Sequence, residues 1–167
     1  MKKQFYFFIV GLTFIFIMPS CNRFEDGNNF SIRTVKGRLV KGSPWVFDKL
    51  EVDGIDKSDE FRADSSYFDL LRFNKVSSRV SDEFSFATVS SICYSTGNFE
   101  LFSKNKMRIY ALENGCVTGE FDHFFYGPIF RDFWIEWEIT RLSMNELQMK
   151  TKFNGLVYKL FLKSNRE

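Results

Sequence analysis

Asn154-Gly155 constrains this chain more than any other pair of residues, because it separates two runs of strict alternation. Leu147, Met149, Thr151 and Phe153 precede it, interleaved with Gln148, Lys150 and Lys152, and Leu156, Tyr158, Leu160 and Leu162 follow. Successive strand side chains point to opposite faces, and a type I′ turn needs two positive-φ residues, which Asn and Gly supply with least strain. A two-residue turn also fixes register. Phe153 faces Leu156, Thr151 faces Tyr158, Met149 faces Leu160 and Leu147 faces Leu162, all on the apolar face. The same register sets Lys150 against Lys159, which is unfavourable unless acids stand beside them. The preceding run, Phe133 to Thr140, carries Phe133, Ile135, Trp137 and Ile139 on one face and Trp134, Glu136, Glu138 and Thr140 on the other. Glu136 and Glu138 reach the lysines only if the connection through Ser143 to Glu146 has an odd effective length or contains a bulge, since a one-residue slip exchanges the faces.

Further strands are expected at Arg33–Val40, Trp45–Val52, Tyr67–Phe73, Glu83–Ser90, Phe99–Phe102, Met107–Leu112 and Val117–Phe121, with turns at Asp53-Gly54, Gly97-Asn98, Lys104–Lys106 and Glu113-Asn114-Gly115. The charged segment Gly54–Asp64 can hold one helical turn, and no stretch sustains a 3.6-residue period. About ten short strands joined by tight turns predict an all-β fold, a small antiparallel up-and-down barrel with a two-sheet sandwich as the alternative.

The first residues read differently. Lys2 and Lys3 precede an apolar run of 14 residues, Phe5 to Met18, closed by Pro19, Ser20 and Cys21. A membrane span needs about 20 apolar residues, so the run suits a signal peptide better than an anchor. Met18-Pro19-Ser20-Cys21 resembles the bacterial lipobox, with Met where Leu is commonest, which implies cleavage before Cys21 and acylation of its thiol. An ordinary secretory cleavage is the alternative. Residues 1–20 are then a signal peptide, the polar stretch 21–30 a tether, and 31–167 the folded domain. By the same resemblance, Asn22 in place of Asp favours the outer membrane, on its periplasmic or surface face.

Without its first 20 residues the chain keeps 21 basic and 21 acidic residues. This balance offers no electrostatic footprint for nucleic acid. Seventeen Phe, five Tyr and three Trp remain in 147 residues, enough to fill a core and leave rings for a pocket, although core filling alone accounts for many of them. Cys93 and Cys116 remain once Cys21 is assigned to lipid. In an oxidising compartment they form a natural disulfide worth about 3 kcal/mol, with two separate buried thiols as the alternative.

Two segments carry a family resemblance. Trp137-Glu138-Ile139-Thr140-Arg141-Leu142-Ser143-Met144-Asn145-Glu146-Leu147, followed by Tyr158-Lys159-Leu160-Phe161-Leu162-Lys163, is similar to the closing strands of lipocalin-like lipoproteins of Bacteroidota. Trp45 in Gly42-Ser43-Pro44-Trp45 stands near where such domains carry Gly-x-Trp, with two intervening residues here instead of one. The resemblance implies a small β-barrel and no catalytic residue.

The chain has one histidine, His123, and lacks Cys-x-x-Cys, Gly-x-Ser-x-Gly, phosphate-loop and dinucleotide patterns. No enzyme activity, cofactor or metal is expected. Asp122 with Asp132 and Glu136 with Glu138 read as surface charge. Two functions fit. One is an apolar small molecule held by rings from Trp45, Phe84, Phe86, Phe99, Tyr110 and Trp137. The other is an accessory or immunity lipoprotein that meets an envelope protein through the aromatic run around Phe124, Phe125 and Tyr126.

Overall fold

The computed structural model describes residues 34–63, 67–77, 82–89, 93–116 and 134–166. Nine antiparallel strands dominate: β1 (Trp45–Val52), β2 (Ile55–Asp56), β3 (Leu70–Ser77), β4 (Asp82–Val89), β5 (Cys93–Leu101), β6 (Lys106–Cys116), β7 (Ile135–Leu142), β8 (Glu146–Phe153) and β9 (Leu156–Ser164). They form one sheet in the order β2-β1-β3-β4-β5-β6-β7-β8-β9, and β1 also pairs with β9. The all-β expectation therefore holds. Cys21, the tether, the strand expected at 117–121 and the run containing Phe124, Phe125 and Tyr126 lie outside the described residues.

The C-terminal hairpin has the register its sequence demands. Phe153 pairs with Leu156, Thr151 with Tyr158, Met149 with Leu160 and Leu147 with Leu162. Asn154 and Gly155 take φ of 49° and 86°, as a type I′ turn requires. Lys150 does face Lys159, and a bulge between Ile139 and Arg141 brings Glu138 opposite Lys150. Their charged ends lie 3.6 Å apart. Asp53 and Gly54 form a second positive-φ turn, between β1 and β2. There the Asp53 amide donates to the Val157 carbonyl, and the Asp53 carboxylate accepts from the Val157 amide.

Three expectations need correction. The strand expected at 33–40 is replaced over its described residues: Val35–Gly42 is a helix, α1, capped by the Thr34 hydroxyl, which accepts from the Gly37 amide at 3.1 Å. Its neighbouring residues Arg38 and Leu39 are both buried, which the two-residue period of a strand with one solvated face would forbid. Gly97-Asn98 and Glu113-Asn114-Gly115 are not turns either, because both lie inside the β5–β6 ladder. The weakness their glycines signal is expressed as a register shift between Thr96 and Gly97. Third, Tyr67–Phe73 is only partly a strand. β3 begins at Leu70, while Tyr67 and Phe68 meet Phe61 of α2 (Ser58–Ala63) edge to face, at centroid separations of 5.5 and 5.8 Å.

Both helices close gaps. β1 meets β3 at two positions only, Trp45 with Leu71 and Val46 with Leu70. Further along, the Leu50 carbonyl accepts from the Lys57 amide and the Leu50 amide donates to the Ser58 hydroxyl, so the segment leading into α2 satisfies an edge that β3 leaves bare. α1 packs against β3 and β7. The Arg38 guanidinium donates to the Leu142 carbonyl at 3.0 Å, and the Trp45 indole donates to the Leu39 carbonyl at 3.0 Å. Gly42 allows this docking, since a Cβ there would fall within the Trp45 ring. Inside, one continuous cluster runs from Leu39 and Trp45 through Phe73, Phe99 and Met107 to Trp137, Leu147 and Leu160.

Two tests follow from this packing. Gly42→Ala should lower unfolding stability in urea by about 1–3 kcal/mol through overpacking against the indole. The second concerns Asp56, whose carboxylate accepts from the Ser58 hydroxyl and amide. These bonds, aided by Lys49, hold its pKa below the ordinary carboxylate value against a smaller opposing effect of burial. The stabilisation is present above the ordinary carboxylate pKa of about 3.9 and is lost as pH falls through the lowered folded-state value. Asp56→Ala should be less stable than wild type at pH 7, and the gap in urea midpoint should narrow as pH falls below the ordinary carboxylate value and close once the carboxyl is protonated in the folded protein.

Candidate functional site

Among the described residues, the strand wall opens between β7 and β8. β6 pairs with β7 from Lys106–Glu138 to Ile109–Ile135, and β8 stays paired with β9 out to Phe153–Leu156. Pairing of β7 with β8 runs from Leu142–Leu147 only as far as Glu138–Lys150. Beyond that point the Thr151 hydroxyl donates to the Glu136 carbonyl at 2.7 Å, a side-chain bond where the ladder has ended. The divergence leaves an open notch of about 530 Å³. Trp134, Ile135, Trp137, Phe153 and Val157 line its apolar part, and Lys106, Glu136, Glu138, Lys150 and Lys152 line its polar part.

Trp137 sets the chemistry of the notch. It is 1% exposed, and its indole N–H is buried with no hydrogen-bond partner among the described residues. A buried donor left unsatisfied costs about 1–3 kcal/mol. Trp134 and Val157 stand at the entrance, 46% and 42% exposed. Trp134 also lies against Tyr110, with centroids 5.3 Å apart. The carboxylates are engaged elsewhere: Glu136 with Arg108 at 3.0 Å, and Glu138 with Asn105 at 3.1 Å and with Lys150. Glu136 is exposed and Glu138 half-buried. Among the described residues no group of three His, Cys, Asp or Glu could hold a metal ion.

The expected ring set divides. Trp45, Phe99 and Trp137 are buried in the one core, where Phe99 meets Phe73 edge to face at 4.9 Å. Trp45 is committed to Leu39 and Gly42 and lines no part of the notch. Phe84 and Phe86 belong to β4, at backbone positions opposite Lys75 and Phe73. Tyr110 departs from the set. It alternates with the buried Ile109 and Ala111 and so faces outward, beside Trp134. Cys93 and Cys116 are cross-strand partners in the β5–β6 ladder. Sequence reasoning passed over Thr151, Phe153 and Val157 as site residues and took Trp134 only as the last residue of the aromatic run 123–134. The legible signal was an aromatic and a branched apolar residue, Trp134 and Val157, at positions where the alternation calls for polar ones.

No family model, curated protein or solved structure matches this chain.

Replacing each of the two buried tryptophans with phenylalanine separates packing from hydrogen bonding. Both changes remove similar volume, but only Trp45→Phe breaks a bond, whereas Trp137→Phe deletes an unsatisfied donor. Trp137→Phe should cost about 1–3 kcal/mol less in urea unfolding than Trp45→Phe. Equal costs would mean that the Trp137 N–H has a partner in the folded protein.

Proposed function

We propose that this chain is a lipid-anchored envelope lipoprotein, held by Cys21 in the outer membrane, whose lipocalin-like β-barrel takes an apolar ligand at the β7–β8 notch. The barrel reading is supported by β1, which meets β3 through Trp45 and Val46 and pairs with β9 from Trp45–Ser164 to Val52–Tyr158. The ladder that leaves β1 through β3 thus returns to it. The address is supported by the lysines, short apolar run and cysteine at the start of the sequence. Among the described residues no helix is long and apolar enough to cross a membrane.

One observation carries the ligand reading: the unpartnered Trp137 donor in the wall of an apolar notch. It asks for an apolar body bearing a hydrogen-bond acceptor, which enters from the side of the sheet instead of filling its packed interior. A second reading, an accessory or immunity lipoprotein, is favoured by Trp134, Leu156 and Val157, exposed at 46%, 40% and 42%. Exposed aromatic and aliphatic groups of this kind anchor protein contacts.

Labelling with radioactive palmitate in a producing strain should mark the wild-type chain and not Cys21→Ser, and an unlabelled wild type removes the lipid anchor. Native mass spectrometry of the membrane-purified protein should detect a bound small molecule. An environment-sensitive naphthalene dye carrying a sulfonate should bind the full chain, and Trp137→Phe should weaken it about tenfold or more, one hydrogen bond to a charged acceptor. If no molecule co-purifies and the dye ignores the substitution, the ligand reading falls. Crosslinking to a defined partner that Trp134→Ala abolishes would then favour the second.

A further inference from the structure

We infer that Cys93 and Cys116 form an intramolecular disulfide that staples the open end of the β5–β6 hairpin, an inference that rests on the envelope address proposed above. Cys93 is the first residue of β5 and Cys116 the last of β6, and their Cα positions are register partners. Directly opposed residues in an antiparallel pair have Cα atoms about 4.5 or 5.5 Å apart, and both spacings lie inside the roughly 4.4–6.8 Å that a disulfide spans.

The pairing depends on the bulge. From Leu101–Met107 to Gly97–Ala111 the ladder keeps one register, and carried on unchanged it would set Cys93 against Gly115. The register shift between Thr96 and Gly97 leaves Leu112 without an opposite number and advances β6 by one residue. Thr96 then faces Glu113, and Cys93 faces Cys116. Leu112 is 62% exposed, so the extra residue is accommodated at the surface. Two cysteines with 22 residues between them thus become direct neighbours through one inserted residue, at the hairpin end farthest from its Phe102–Asn105 connection. Strand ends fray first, and a covalent bond at that point holds every pair between it and the turn.

The chemistry is a two-electron oxidation. Two Sγ–H bonds are lost and one Sγ–Sγ bond forms. One cysteine thiolate attacks the disulfide of a carrier to give a mixed disulfide, the second thiolate displaces the carrier from it, and both electrons and both protons leave with the carrier as its dithiol.

The full chain should be recovered from membranes after acid quenching and treated with N-ethylmaleimide before and after reduction. Cys93 and Cys116 should resist alkylation until reduced, and a digest should yield one linked peptide containing both. In parallel, purified Cys21→Ser protein, in which only these two thiols remain, should close to a monomeric disulfide in a glutathione redox buffer. Cys93→Ser, Cys116→Ser and the double variant should each lower the melting temperature of the oxidised protein by about 6–12 °C, and by the same amount, since any of them removes the same bond. Unequal losses that sum in the double variant would overturn the bond in favour of two separately packed thiols. Failure to close in the redox buffer, or closure only between chains, would overturn it as well. Closure in the buffer with free thiols in the membrane fraction would support the pairing and count against the envelope address.

Discussion

The contact on which the rest of the molecule hangs is the seating of the Trp45 indole against a glycine. Gly42 offers no Cβ, so the ring lies flush with the end of α1 and donates to the Leu39 carbonyl. Around that contact the chain is tied in four directions. Arg38 reaches the end of β7, the Ser43 hydroxyl accepts from the Phe73 amide of β3, the Ser164 hydroxyl of β9 donates to the Gly42 carbonyl, and Trp45 itself opens β1. Four strands distant in sequence thereby share one end with a single helix. An amphipathic helix of eight residues has little stability alone, and its cohesion here comes from tertiary burial.

Irregularities in the ladder, more than its regular stretches, shape what the surface offers. The β7–β8 bulge flips the parity of one strand, which puts Glu138 beside Lys150 and relieves the like-charge pair that the hairpin register imposes. Just beyond it β7 leaves β8, and the Thr151 hydroxyl takes over where backbone pairing stops. The notch and its unsatisfied indole donor are products of that departure. The β5–β6 bulge acts in the same way at another edge, changing which residue of β6 stands opposite Cys93.

Much of the fold was legible in local patterns, and the places where reading failed share a cause. The Asn154-Gly155 hairpin could be read to the residue because turn type, alternation and apolar facing all fix the same register. The charges called for either an odd effective connection length or a bulge, and the bulge between Ile139 and Arg141 is the one that forms. Residues 33–40 were misread because β-branched Val35 and Val40 suggest a strand, while the Thr34 cap and the adjacent burial of Arg38 and Leu39 acquire meaning only against β3 and β7. Gly97 and Gly115 were read as turn residues because a glycine carries the same local signal in a turn and in a weakened strand. Tyr110 was assigned inward because composition reports how many rings there are and not which face each occupies.

The sequence by itself determined the all-β class, the C-terminal register, the balanced charge of residues 21–167 and the lysine-led apolar run at the start, because each is read from composition or from residues close together in the chain. Tertiary structure decided the rest. It set the helix against Trp45, placed Tyr110 on the outer face, opened the notch at Trp137 and brought Cys93 to Cys116. These outcomes depend on where strands distant in sequence begin, end and slip against one another, and no local pattern of side chains encodes that.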